Sequence, residues 1–367
     1  MTDQTQMDLG DKGKPAEAAG PASKAMAFSF GDAESVLDRR ELAQYFEIWH
    51  NGRWYEPPLP MDRLCQVFNM APHHSSAIWL KVNLLVGVHE PTDKLGSDAF
   101  ERWALDFLQM GNGYLEDIPN RSNGTARFDH ASARHMRAPK DPAAGYFFVG
   151  SGVAQEHQFQ PGRIFHLQQP DVAQEVYGMP AWLAALQSGL LNENATLFRR
   201  RYYLNGAHMG FILYVSEAFS DQETADAVEA AIKAGKGAGN FRNMFLNIPS
   251  GKKDSVQLLP VGELAAKDEF SGIKNISRDD MLAAHRVPPT LLGIVPQNAG
   301  GFGKPSEALD TFFQVEIVPI MRRMRAMNTF FGGEVLRFGN YSASDGSEIT
   351  PDGRRIRGGD SPATPAS

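Results

Sequence analysis

Glycines spaced ahead of a lysine can cradle a phosphate, and residues Gly293 to Lys304 offer that combination, with four glycines and one proline. A phosphate loop needs a strand, then G-x-x-x-x-G-K-[ST], then a helix, because backbone N–H groups wrap the phosphates and the hydroxyl holds magnesium. Here Pro305 follows Gly303-Lys304, and Asn298 stands where the first glycine belongs. The segment before the loop also reads as a helix. The expectation is therefore a mobile loop without nucleotide chemistry. Gly235-Lys236-Gly237-Ala238-Gly239 likewise follows a helical pattern and reads as a flexible exit.

Metal chemistry is equally poorly served. His73 and His74 are adjacent and so diverge on either a helix or a strand. His130 and His135 are flanked by Arg134 and Arg137, which repel a cation, and a third ligand at zinc-like spacing is missing. Cys65 is the one cysteine, which excludes an internal disulfide and a thiolate zinc site, and its apolar neighbours suggest a buried thiol. No catalytic constellation, metal site or cofactor is expected. The remaining cluster with chemical potential is Arg199-Arg200-Arg201, beside Tyr202 and Tyr203. It could face DNA or the next subunit's acids, but adjacent residues fan around a helix, so favourable cations at a helix C-terminus are the preferred reading.

The elements that position these residues are legible in part. Ser277 reads as an N-cap, with Asp279 and Asp280 in the first turn of a helix to Ala284 and a Pro288-Pro289 stop. A long helix is expected from Ser306 to about Asn328, with Leu309, Phe312, Phe313, Ile317, Ile320, Met321 and Met324 on one stripe. Further helices are expected at Glu41 to Trp49, Met61 to Asn69, His74 to Asn83, Leu95 to Met110 and Pro180 to Tyr203. Ser220 to Ala234 adds another, opened by a Ser220/Glu223 capping box. Strand patterns occur at Phe28 to Phe30, Tyr114 to Ile118, Tyr146 to Val149, Ile164 to Leu167 and Gly210 to Val215, and Phe241 to Ile248 reads as paired with Val256 to Val261.

Three ordered blocks carry a resemblance. One runs from Lys274-Asn275 through Asp279-Asp280-Met281-Leu282-Ala283-Ala284-His285-Arg286-Val287-Pro288-Pro289 to Gly293-Ile294-Val295-Pro296 and Gly300-Gly301-Phe302-Gly303. The others are Tyr177-Gly178-Met179-Pro180, with Leu191-Asn192-Glu193 and Phe198 to His208, and Gly239-Asn240-Phe241-Arg242-Asn243. Together, over about Phe28 to Asn340, they resemble the portal proteins of tailed bacteriophages, specifically the PBSX type of contractile-tailed phages.

The resemblance implies an α+β portal-type fold that assembles as a ring. Its parts would be a wing domain at 28–216, a first stem helix at 217–236, a β-rich clip at 237–263 and a second stem helix at 264–286. A tunnel loop, tunnel helix and return to the wing would occupy 287–340. The tunnel-loop residues facing a DNA channel would be Asn298, Gly300, Gly301, Phe302, Gly303 and Lys304, and Asn240, Phe241, Arg242 and Asn243 would meet the motor. Implied partners are further copies of the chain in a dodecameric ring, the terminase large subunit, the major capsid and scaffolding proteins, head-completion or tail-connector proteins, and double-stranded DNA passing through. The location implied is the portal vertex of the virion, after synthesis in the host cytoplasm.

Composition agrees with this. The 367 residues are 42% hydrophobic, enough for one large core or two modest ones. A net charge of −7 argues against gripping nucleic acid over the whole surface. No apolar run is long enough to span a bilayer, and no signal peptide is evident. Residues 1–27 and 341–367 are poor in bulky apolar groups and are expected to be disordered tails. A nucleotide-dependent DNA-processing enzyme and a capsid scaffold that never touches DNA are the alternatives.

Overall fold

The computed structural model describes residues 49–150, 156–204, 211–215, 256–260, 265–294 and 304–357. The N-terminal tail, the expected strand at Phe28, the capping box at Ser220, the expected first stem helix and the Phe241 to Ile248 strand lie outside these residues. All the described residues belong to one compact unit, Arg39–Ser367.

Helix α1 (Met61–Gln66) runs into a 3-10 turn, Val67–Asn69, and α2 (Pro72–Val88) opens on a proline whose missing N–H is one the first turn leaves unused. Strand β1 (His89–Glu90) leads to α3 (Ser97–Met110), which buries Phe100, Trp103, Ala104 and Phe107, as its stripe predicts. Gly111 ends α3 in the left-handed region at φ 70°, and a Cβ there would lie 2.4 Å from the Met179 carbonyl carbon. Both turn and packing therefore demand glycine at this position.

Strand β2 (Asn112–Pro119) is the centre of an antiparallel sheet between β3 (Thr125–Ala131) and β7 (Ile164–Gln168). A second three-stranded sheet joins β4 (Met136–Arg137), β5 (Phe147–Val149) and β6 (Glu156–Gln158). Helix α4 (Leu186–Leu204) packs against α5 (Ala265–His285). Between them in sequence, β8 (Phe211–Val215) pairs antiparallel with β9 (Val256–Pro260).

Two expectations need correction. Ser277 is not an N-cap: α5 begins at Ala265, and the Ser277 hydroxyl bonds back to the Ile273 carbonyl at 2.7 Å, inside the helix. Buried there, it also accepts a 2.8 Å bond from Asn192 on α4, a polar contact that local capping rules do not anticipate. Among the described residues, strand β9 pairs with β8, and the Phe241 to Ile248 region expected to pair with it lies outside them. The largest departure is the C-terminal tail, which is folded through Arg357.

Strand β10 (Arg337–Phe338) pairs with β1, and β11 (Tyr341–Ser342), β12 (Ser347–Ile349) and β13 (Arg355–Arg357) form an antiparallel sheet. Low apolar content misled the reading, because its few apolar residues are all used. Ile349 is fully buried, and the Tyr341 ring stacks on Phe313 with centroids 4.1 Å apart. The turns of this sheet place Gly346 and Gly353 at positive φ, where no Cβ is present to object.

The long helix expected from Ser306 to about Asn328 is present but composite. It comprises α6 (Pro305–Phe312), a π-turn (Phe313–Ile317), α7 (Val318–Met324) and α8 (Ala326–Phe331). Phe312, Phe313, Ile317, Ile320, Met321 and Met324 are buried in one core with α2 and α3. Spacing by four residues overshoots a 3.6-residue turn by about 40° at each step. The wider turn absorbs that drift. Pro319 explains its place: without an N–H it cannot bond the Val315 carbonyl, and Val318 N–H instead reaches back five residues to Phe313.

Candidate functional site

Of the residues singled out by sequence, Asn298, Gly300, Gly301, Phe302 and Gly303, and Asn240, Phe241, Arg242 and Asn243, lie outside the described residues. Lys304 is exposed at the N-cap position of α6, with extended backbone and Pro305 at the first helical position. Arg199 and Arg200 are exposed on the last turns of α4, and Arg201 continues that helix. Lys274 on α5 has its ammonium disfavoured by burial and by the charge of Arg199, so positive charge is concentrated across the α4–α5 pair. Among the described residues no three potential metal ligands gather.

The structure does define the root of the glycine segment. Helix α5 ends in two bonds, Val287 N–H to Leu282 O and Arg286 N–H to Ala283 O, each 3.0 Å. This is a Schellman closure, and its left-handed residue is normally glycine. Here it is Arg286, at φ 56°. Left-handed backbone costs a side-chain-bearing residue about 1–2 kcal/mol. What Arg286 gains is a two-point grip on Glu316 in the π-turn: Nε donates to Oε2 at 2.8 Å and Nη2 to Oε1 at 3.1 Å.

Glu316 is held a second time. Lys81 on α2 donates from Nζ to Oε1 at 2.6 Å, and the two side chains are 5% and 9% exposed. Burial alone would raise the Glu316 carboxyl, but its bonds to Arg286 and Lys81 outweigh this and hold it below the ordinary range. Burial likewise lowers the Lys81 ammonium, with Glu316 opposing. The carboxylate thus ties three elements together where the chain leaves α5.

A neutral histidine pair backs this contact. The Gln109 amide donates to Leu64 O at 2.5 Å, which leaves Gln109 Oε1 as an acceptor for His74 Nε2–H at 3.2 Å. His74 Nδ1 must then accept from His285 Nε2–H, at 3.0 Å. Burial pushes His74 down to about 4, and burial with the neighbouring His74, Lys81 and Arg286 pushes His285 down to about 2. Trp182 closes the group, edge-on to His74 at 4.4 Å and bonded through Nε1 to Gln109 O at 3.0 Å.

The far end of the segment rejoins the body close by. Arg286, Pro288, Lys304, Glu307, Thr311 and Val315 line one open groove, so the two ends of the glycine segment share a surface. Sequence reading missed Lys81 and Glu316 entirely. The available signal was a carboxylate set between Phe313 and Ile317 within an apolar stripe, a place where a charge needs a partner.

Comparisons with known proteins address what this framework is. A family model described as "Phage portal protein" matches residues 85–349. The chain is 41% identical over 329 residues to the "Probable portal protein" of Escherichia phage P2, covering 90% of this chain and 94% of that protein. It is 35% identical over 273 residues to the "Probable portal protein" of Haemophilus phage HP1, covering 74% and 79%. Among solved structures, an HK97-family phage portal protein from Corynebacterium diphtheriae matches with TM-score 0.55 at 13% identity, covering 75% of this chain and 93% of that one. A chain of the native gene transfer agent virion matches with TM-score 0.56 at 18% identity, covering 78% and 83%. Another, from a gene transfer agent neck computed with C12 symmetry, matches with TM-score 0.54 at 18% identity, covering 75% and 83%. Helices, sheets and sequence agree across most of the chain: it belongs to the phage portal protein family.

Proposed function

We propose that this chain is one subunit of a ring, of about twelve copies, at the capsid vertex. Double-stranded DNA enters and leaves through the ring, which docks the terminase motor and later holds the tail connector. The twelvefold symmetry of the gene transfer agent neck supports the copy number. The observation that carries the reading is the glycine segment whose described flanks, on either side of residues 295–303, are both rooted beside one ion-paired node. A net charge of −7 per chain, repeated around a ring, would repel phosphate and let DNA slide.

Within the subunit, α4 leads into residues 205–264 and α5 leads out of them, and the two helices pack together. These helices therefore suit the paired stem, with the intervening chain, including β8 and β9, as the clip. On this reading the second stem helix would span 264–286, and α4 would serve as the first in place of 217–236. Asn240, Phe241, Arg242 and Asn243 remain candidates for the clip's contact with the motor. The PBSX-type assignment remains part of the proposal. Nucleotide hydrolysis is not favoured, because Lys304 is followed by Pro305 and leads from its N-cap position into a helix that supplies no hydroxyl at the required place.

Lys304 is the cation nearest the glycines in sequence. Its reversal, Lys304→Glu, should reduce the DNA packaged per particle or its retention, measured by packaging assay and DNase protection. Unchanged packaging together with unchanged retention would remove Lys304 from the role.

A further inference from the structure

Beneath the π-turn lies a cavity of about 20 Å³, bordered by Lys81, His285, Arg286, Glu316, Arg323 and Gln169. A void of this size accommodates about one water-sized occupant. Its charge does not balance. Glu316 is the single carboxylate on the wall, and both its oxygens are already engaged by Lys81 and Arg286. Arg323 brings a third cation whose hydrogen-bond and ring partners are neutral: Nη1 donates to Gln169 Oε1 at 2.6 Å, and its guanidinium lies 5.6 Å from the Phe107 ring centroid. Three cations against one carboxylate leave two unmatched positive charges around a half-buried void.

We propose that this cavity binds a monatomic anion of chloride size, held between Arg323 and the Lys81–Arg286 side of the node. Neighbouring positive charge already weighs on the wall, since Lys81 and Arg323 both have their cationic forms disfavoured, by burial first and by Arg286 among the charged neighbours. An occupant of opposite sign relieves that repulsion without competing for Glu316. A phosphate or carboxylate ligand is too large for the space. Arg286 is 54% exposed and borders solvent, so exchange needs no opening of the core. The site is independent of the channel reading. Where that reading holds, the anion would make the stiffness of the loop's root depend on salt composition.

The test uses full-length protein at constant ionic strength, with chloride exchanged for gluconate, which the cavity cannot admit. Thermal stability should rise with chloride by about 2 °C per tenfold once the site saturates. Arg323→Gln should abolish the chloride-specific part. Equal melting temperatures in the two salts, or an undiminished chloride effect in Arg323→Gln, would overturn the proposal. If Arg323→Gln fails to fold, bromide-soaked crystals of the unaltered protein decide by anomalous scattering. A bromide peak between Arg323 and Lys81 supports the site, and water alone there refutes it.

Discussion

Removing the Glu316 carboxylate should expose how the root of the loop is held. In Glu316→Leu, Lys81 keeps its charge in a position 4% exposed and loses the acceptor that compensates for burial. Leaving one member of a buried pair costs about 3–5 kcal/mol. Lys81→Met should cost less, about 1–2 kcal/mol, because Glu316 keeps both bonds from Arg286, whose side chain is 54% exposed. The double variant Lys81→Met/Glu316→Leu removes both buried charges and returns apolar volume, and Arg286 can turn to water. It should lie within about 1 kcal/mol of the unaltered protein. The coupling between the two positions is then about 3 kcal/mol or more in magnitude. Urea unfolding followed by tryptophan fluorescence measures this, since Trp182 lines the cavity beside the pair. A cost below about 1 kcal/mol for Glu316→Leu, or a double variant no more stable than that single one, would refute the claim that the node is a desolvated ion pair.

Three further outcomes are expected. Arg286 occupies a left-handed position, so Arg286→Gly should be more stable than Arg286→Ala by about 1 kcal/mol, although both lose the Glu316 contact; equal stabilities would show that the backbone there is unstrained. His74 is buried and His166 half-buried, and desolvation lowers them to about 4 and about 3, whereas in the unfolded chain they take up protons near the ordinary value of 6.5. The unfolded state therefore binds more protons between pH 6.5 and 4, so stability is lost as the pH is lowered through that window, by about 1.4 kcal/mol per unit for each histidine. His166→Gln should reduce the slope of stability against pH, and an unchanged slope would contradict its neutral burial. Ile349→Ala should cost about 2–4 kcal/mol in unfolding measurements, because the side chain is fully buried against the composite helix; a cost near zero would restore the reading of a disordered tail.

How much of this was legible in sequence depended on whether the signal was local. Helix α3 declared itself by Phe100, Trp103 and Phe107 and by Gly111 at its end, all within one stretch. The stripe from Phe312 to Met324 likewise located the long helix, although the π-turn needed the joint reading of four-residue spacing and Pro319. Ser277 failed because the feature that decides its role, Asn192 on α4, is remote in sequence. The C-terminal sheet failed for a related reason: composition counts apolar residues but does not reveal that Tyr341 and Ile349 meet Phe313 and its neighbours. The node failed most completely. Lys81, Arg286 and Glu316 come from three separate segments, and although Arg286 lies in one of the recognised blocks, nothing local reveals its partners. The glycine segment and Lys304 were found as a pattern, and the fold adds what anchors them.

The central claim is that the segment between Ile294 and Lys304 faces the axis of a ring, with the Arg286–Glu316–Lys81 node at its base. A cryo-electron microscopy reconstruction of the virion neck, with symmetry determined independently, tests this directly. A closed ring of about a dozen copies, with residues 295–303 nearest the axis and Lys304 at the channel wall, is the predicted result. A ring that turns this segment to its outer wall, or a neck in which the chain forms no closed ring, would contradict it.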